Sequence, residues 1–294
     1  MSIRARAAQP GGFSLLELLV GMAILLVVLA TVLSVLAKYE QIYQGQQVEA
    51  GVELGLNSAL ELLSQEIGQA GYLGFAPRTL QSAVIGSSMA QTVPISSTDS
   101  LFAGEKLLVD AGVAQELVTV VSVGSGTITG IFAGSHASGA FVTALGVFST
   151  GVLSTANGNT LQLFGDINAD GSLVFVQYTC NLSAGALTRT VSSISASAQN
   201  PAQPLLTGLV ANPGGTPCFE FNSTNYLGTT YVTGVKVTLS NQGAMANPQT
   251  GQPPVMTASL AIVPRNVLRA LAFAQMTPPE TNLLEPAPPG LPLP

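Results

Sequence analysis

One carboxylate stands near the start of an otherwise uncharged run: Glu17, within GGFSLLELLV at residues 11–20. An ionised acid entering a bilayer costs about 2.5 to 3.5 kcal/mol and such groups usually have a partner. Glu17 therefore reads either as a recognition residue satisfied by another molecule, or as an anchor residue close enough to the interface to reach water. A second constellation is DINADGS, residues 166–172, where Asp166, Asn168 and Asp170 have the alternating spacing that opens a calcium loop. An EF-hand would need glutamate at the twelfth position, and Gln177 stands there. Asp, Asn and Gly are equally what a tight turn requires, so a metal-free turn and a weak calcium site are both open; no other cofactor is expected.

His136, in SHASGAFV, is the only histidine. A catalytic histidine needs a nucleophile and an orienting group, and no G-x-S-x-G elbow is present. A structural role in a turn is expected for it, and no enzymatic activity is expected of the chain. No glycine-rich loop has phosphate-binding spacing and no cysteine pair has zinc spacing.

The elements that would position these groups begin with an apolar segment. The chain has 294 residues, a mean hydropathy of +0.46 and only 8% charged residues, unusually apolar for a soluble protein. Residues 18–37, LLVGMAILLVVLATVLSVLA, run 20 positions without a charge. At about 1.5 Å per residue that matches a hydrocarbon layer of roughly 30 Å, so this is a membrane-spanning candidate. Arg4 and Arg6 are the only charges ahead of Glu17. The positive-inside bias then places the N-terminus in the cytoplasm and everything beyond Lys38 outside. Without residues 1–12 the count is 7 basic against 15 acidic residues, net −8 (9 − 2 − 15), which gives no electrostatic footprint for nucleic acid. Cys180 and Cys218 both fall on the exported side, where a disulfide between them is expected.

Val48, Val52, Leu56, Leu60, Leu63, Ile67 and Ala70 continue beyond the apolar run at spacings of three and four, one stripe of a helix. No proline interrupts residues 13–76, so a single helix from about residue 14 to about residue 70 is predicted, roughly 85 Å long. Its first half is apolar all round and its second half on one side only. Beyond GYLGF (71–75) the composition shifts to Gly, Ser, Thr and Val. Strands are predicted at 116–123, 127–132, 172–179, 230–240 and 255–263, forming an antiparallel sheet packed on the helical stripe. Residues 103–148 read as a compact β module. The tail 278–294 holds seven prolines and reads as extended and mobile.

GGFSLLELL followed by a long apolar helix resembles the N-terminal signature of type IV prepilins and pseudopilins: a short basic leader ending in glycine, then phenylalanine, then glutamate as the fifth mature residue. The resemblance implies cleavage between Gly12 and Phe13 by a prepilin peptidase, N-methylation of Phe13, and a Glu17 that sets register by attracting the new α-amine of a neighbouring subunit. ALELLSQEIGQAGYLGF (59–75) further resembles the segment closing the long helix of PilW-type minor pilins, with Glu66 where that family usually has aspartate and Ala70, Gly71, Tyr72 and Gly74 matching. TASLAIVPRNVL (257–268) resembles the closing strand, which often ends in Arg-Asn, here Arg265 and Asn266. These segments cover both ends of the mature chain and leave about residues 76–160 unassigned.

The implied fold is α+β and type IV pilin-like. The implied divisions are a leader (1–12), a transmembrane and assembly half of the helix (13–37), an amphipathic half (38–70), an extracytoplasmic β-rich domain (71–277) and the tail (278–294). The implied role is a minor pilin of type IV pilus assembly, partnered by the peptidase, other major and minor pilins, the inner-membrane assembly platform and, before assembly, the bacterial inner membrane, with the outer domain periplasmic and then carried on the pilus. Many major pilins carry a proline within the apolar half of the helix, where this chain has only Gly21; that and its length favour an accessory subunit. The alternatives are a type II secretion pseudopilin and a membrane-anchored adhesin or calcium-dependent binding protein.

Overall fold

A computed structural model of the chain describes residues 12, 14–74, 77–144, 146–155, 157–194, 199–279 and 281–291. Residues 1–11 of the expected leader, and Phe13 as the expected site of N-methylation, lie outside the described residues. The chain divides into two compact units: the described residues up to Gly51 with Ala244–Pro254, and Val52–Gly243 with Val255–Pro294.

Helix α1 runs Leu15–Gln69, close to the predicted span. It persists because no proline removes an amide donor along it and because Leu, Ala and Val give way to Glu, Gln and Leu, good helix formers, as the chain leaves the apolar run. In the first unit the residues from Leu15 to Leu36 are exposed on every side. In the same unit the loop Ala244–Pro254 turns on Asn247, which is buried, donates 2.9 Å to the Glu49 carboxylate and accepts from the Gln249 amide.

In the second unit α1 buries Val52, Leu56, Ala59, Leu60, Leu63, Ile67 and Ala70, the predicted stripe with Ala59 added; Val48, the first residue of that stripe, belongs to the first unit and is half-buried. That stripe packs in one core with residues of two sheets. Strands β1 (Arg78–Thr79), β2 (Gln91–Pro94), β3 (Lys106–Val109), β4 (Glu116–Gly124), β5 (Thr127–Gly130) and β6 (Phe141–Ala144) form a separate antiparallel sheet in the order β1-β6-β3-β4-β5-β2. It encloses its own core of Leu107, Val109, Val118, Ile128, Phe132 and Val142. This is the expected β module, begun earlier than residue 103 by the strands at 78–79 and 91–94.

After β7 (Val147–Phe148) come β8 (Val152–Leu153), β9 (Thr160–Gly165), β10 (Val174–Asn181), β11 (Ala186–Ser193) and β12 (Gln203–Thr207), a five-stranded antiparallel sheet in the order β12-β11-β10-β9-β8. Then β13 (Leu209–Val210), β14 (Phe219–Tyr226), β15 (Thr229–Gln242) and β16 (Val255–Ile262) form the third sheet, with β15 paired to all three others. In β15 Tyr231, Val235, Val237 and Leu239 are buried on one face and Lys236 is exposed on the other. Thr238 and Ser240, on the opposite face, are also buried and bond across to Ser259 and Thr257 of β16. Cys180 of β10 and Cys218, beside β14, form the expected disulfide and tie these two sheets together; a cross-link of this loop length is worth about 4 kcal/mol in the chain-entropy model.

Two expectations are corrected. The segment resembling a closing strand up to residue 268 leaves the sheet at Ile262, and from Arg265 to Gln275 it is a helix, α2, that buries Val267, Ala270 and Ala274. Pro264 ends the strand by withholding a ladder donor and pre-sets the backbone angle for the helix that follows. The proline-rich tail, expected to be extended and mobile, contains β17 (Leu284–Glu285), which pairs in parallel with β7. Glu285 and Leu291 of that tail are buried. Proline prevents long ladders there but not a two-residue pairing flanked by apolar anchors.

Candidate functional site

At the start of α1 the side chain of Ser14 accepts the Glu17 amide at 3.3 Å, and the Glu17 carboxylate accepts the Ser14 amide at 3.0 Å. This reciprocal pair is a capping box: it satisfies donors that the first helical turn leaves without intrahelical partners. Its consequence is directional. Glu17 is folded back toward the helix start, where the positive end of the helix dipole favours a negative charge and where a cut after Gly12 would place a new amine. The bond to Ser14 would survive that cut, because Ser14 keeps its amide.

Glu66 lies on the buried face of α1, one residue before Ile67. Its carboxylate accepts the Tyr178 hydroxyl at 2.5 Å and is gripped from two directions by the Arg189 guanidinium, Nε at 3.2 Å and Nη2 closer. Tyr178 and Arg189 stand directly opposite each other on β10 and β11, so one helical acid pins two neighbouring strands. Burial first, and the facing Glu66 charge second, push the Tyr178 phenol far up. Burial alone would lower Arg189, but its bonds to Glu66 outweigh that and hold it above its ordinary value. A carboxylate on an apolar stripe is a sequence signal for such a partner; which cation supplies it, 123 residues away, is not.

The end of α1 is built from AGY and from Asn266. Gly71 takes the left-handed conformation, φ 80°, just past the helix, the position where a Cβ is most costly. Its amide and carbonyl are taken by Phe164 and Phe148. Gly151 passes so close that a Cβ there would lie 2.3 Å from the Gly71 Cα. Asn266, at the start of α2, donates its side-chain amide to the carbonyls of Gln69 and Ala70 at 3.1 and 3.4 Å, closing groups the helix end leaves open. The end of α1 and the start of α2, almost two hundred residues apart, are thus bonded to one another.

The 166–172 loop is a turn supplied from within. Asp166 is buried, and its carboxylate accepts the amides of Asp170 and Gly171 at 3.0 and 3.1 Å. Asp170 accepts the Ser172 amide at 2.8 Å, and Asn168 is exposed. Burial raises the Asp166 carboxyl against the pull of these amides. Both Asp166 oxygens and Asp170 Oδ1 accept backbone amides of the loop itself, and the described residues hold no cluster of three or more His, Cys, Asp or Glu suited to a metal.

His136 is buried between two acids: Nδ1 lies 3.1 Å from Asp110 and Nε2 2.9 Å from Glu116. Burial would depress the imidazole, but the bonds to Glu116 and Asp110 prevail and raise it, so the form with both nitrogens protonated is favoured. Both nitrogens are occupied, which leaves no free base and locks the 134–136 turn to the ends of β3 and β4. A further feature had no sequence signal: Glu105 and Glu285 are fully buried. Glu285 accepts the Lys106 amide at 3.0 Å, and Lys106 Nζ donates to the Leu284 carbonyl, so the tail is fastened to β3. Burial, aided by the Glu285 charge, pushes the Glu105 carboxyl up to about 8, and burial pushes Glu285 up to about 7.

Residues 10–33 match the family described as the prokaryotic N-terminal methylation motif. No curated protein and no solved structure matches the chain. The match falls on the segment that includes Gly12, Phe13 and Glu17, and α1 is long and apolar enough to cross a membrane. A prepilin-type signature on a long apolar helix, followed by antiparallel sheets, supports a type IV pilin-like or pseudopilin protein, with the peptidase processing and assembly among pilins that such a signature implies.

Proposed function

We propose that this chain is a minor subunit of a type IV pilus, of the PilW-like kind, inserted in the bacterial inner membrane with its N-terminus cytoplasmic and its outer domain periplasmic before assembly. The observation that carries the reading is the start of α1: a lone carboxylate, held back toward the helix end by Ser14, directly behind Gly12 and Phe13 and ahead of an apolar surface exposed on every side. Prepilin peptidase cleaves between Gly12 and Phe13, Phe13 is methylated, and Glu17 receives the amine of a neighbouring subunit. The apolar half then exchanges lipid for other helices, whose close packing and polar contacts replace the missing hydrophobic drive. The role is assembly rather than turnover, and the one histidine supports that, since both its nitrogens are engaged.

The bond from Asn266 to the end of α1 favours the pilus over the secretion piston, because it gives a structural reason for the AGY and Arg-Asn segments to occur together. The test is the intact mass and N-terminal peptide of the protein from its native membrane and from sheared filaments. Loss of residues 1–12, a methylated Phe13 and presence in the sheared fraction are the expected results, with Glu17→Gln processed normally but lost from filaments. A retained leader beside an active peptidase would sink the reading, and a processed protein that never enters filaments would turn it toward type II secretion.

A further inference from the structure

Cations are scarce in this chain, nine in all, and most are accounted for. Arg189 is bonded to Glu66, Lys236 to Glu220, Arg78 donates to the Asp99 carbonyl and Lys106 to the Leu284 carbonyl. Lys38 ends the apolar run, and Arg4 and Arg6 belong to the leader. Arg265 and Arg269 remain: they stand one turn apart on α2, both exposed, with no ion pair to any described carboxylate. Leu268, also exposed, lies beside them, and the Arg269 guanidinium rests over the Phe273 ring at 5.2 Å, which holds it in place.

The second unit presents the opposite charge on α1. Glu53, Asn57 and Glu61 follow at successive turns of α1, all exposed, and neither acid has a cation among the described residues. Asn57 and Glu61 line a groove of about 700 Å³ whose floor includes Leu60 and whose far wall is Ala258–Leu260 of β16. Along this side β16 is a free sheet edge: it pairs with β15 and with no other described strand. A long edge strand without charge or proline is the kind that proteins normally cover.

We propose that α2 of one molecule docks in the α1/β16 groove of a second copy of this chain. Leu268 enters against Leu60 and Leu260, and Arg265 and Arg269 pair with Glu53 and Glu61. The two arginines are about 6 Å apart along their helix and the two glutamates about 12 Å along theirs, a difference the long guanidinium arms span. The α2 patch adjoins the groove, because Ser64 and Gln65 border both Arg265 and the groove floor, so the contact joins like surfaces of two copies. It goes beyond assembly through the apolar half of α1, since it lies on the outer domain and is governed by charge.

The test uses full-length protein in its native membrane, with two differently tagged copies expressed together. One carries Leu268→Cys and the other Asn57→Cys; the native chain has no free thiol, so a new disulfide between the tags reports α2 against the groove. The cross-link is expected to form, to weaken as salt rises, and to fall about tenfold when Arg265→Glu and Arg269→Glu are added to the Leu268→Cys copy. It is expected to return when Glu53→Arg and Glu61→Arg are placed in the Asn57→Cys copy. Removal of the leader and retention of the Cys180–Cys218 bond are read in the same samples, so a failure of the prepilin reading or of folding shows separately. Should a charge reversal unfold the chain, the neutral pair Arg265→Gln and Arg269→Gln takes its place with the same expected loss. Folded copies that give no cross-link, or one indifferent to salt and to the charge changes, would overturn the proposal.

Discussion

The two halves of α1 have the same backbone and opposite fates. From Leu15 to Leu36 every large apolar side chain faces outward, whereas from Val52 to Ala70 one stripe is buried to a few per cent exposure or less. Among the described residues none covers the first half, an exposed apolar surface suited to lipid or other helices. The second half is finished within the molecule, by sheets that bury the stripe and by strands that supply partners for its one buried acid. A helix can thus be divided by what completes it, without any break in its hydrogen bonding.

The largest effect that would sharpen this contrast is that of pH, because the chain-completed region contains buried acids. Glu105 at about 8 and Glu285 at about 7 both lie above the ordinary carboxylate value. As pH rises through the unfolded value near 4.5 the unfolded chain loses these protons first, so stability is greatest in mild acid and falls until the folded groups ionise. The fall is on the order of 4 kcal/mol for Glu105 if its full shift is felt. His136 acts in the same direction: its raised value contributes stability that is present below the ordinary histidine value and is lost as pH rises through the folded one. Chemical denaturation followed at pH 5, 6.5 and 8 should show the decline, and Glu105→Gln should flatten it; a profile that rises with pH would contradict the burial of these acids.

Next comes the core. Leu63→Ala should destabilise the outer domain by about 3 kcal/mol, while Leu25→Ala, at 65% exposure, should leave its denaturation midpoint unchanged. If both shift the midpoint equally, the division of the helix is wrong. Glu66→Ala should cost about 2 kcal/mol, less than a wholly buried pair because the Arg189 side chain keeps 25% of its exposure. Glu66→Asp, one methylene shorter, should lose part of this in the same denaturation assay. The smallest effect is expected at the start of the helix: Ser14→Ala should weaken the first turn by about 1 kcal/mol, seen as faster amide exchange at residues 15–18 in micelles with no change beyond Val52.

Much of this was legible in residue order. The span of α1 followed from the absence of proline and from the three-and-four spacing of its apolar positions, and the Gly12, Phe13, Glu17 signature is local. Strands β4, β10, β15 and β16 followed from β-branched runs between turn residues. Helix α2 is masked in the sequence: Val267, Ala270, Leu271 and Ala274 have helical spacing, but the strand-forming run before Pro264 dominates the window. The proline count of the tail describes the whole segment and hides its anchor, which needs only the two residues of β17 and Leu291.

What the sequence determined by itself is whatever depends on neighbours within a few positions: a continuous helix, an apolar half suited to lipid, a capping box at its start, a glycine at its end, and a turn at 166–172. What only the tertiary structure decided is which distant groups meet. Arg189 and Tyr178 converge on Glu66, Asn266 closes the end of α1, Asp110 and Glu116 enclose His136, and Glu285 reaches β3. The reason is physical: local conformation follows from sterics and hydrogen bonds over a few residues, but a buried charge is tolerable only where the packed fold supplies its partner, and strand order, which residue spacing does not encode, decides where that is.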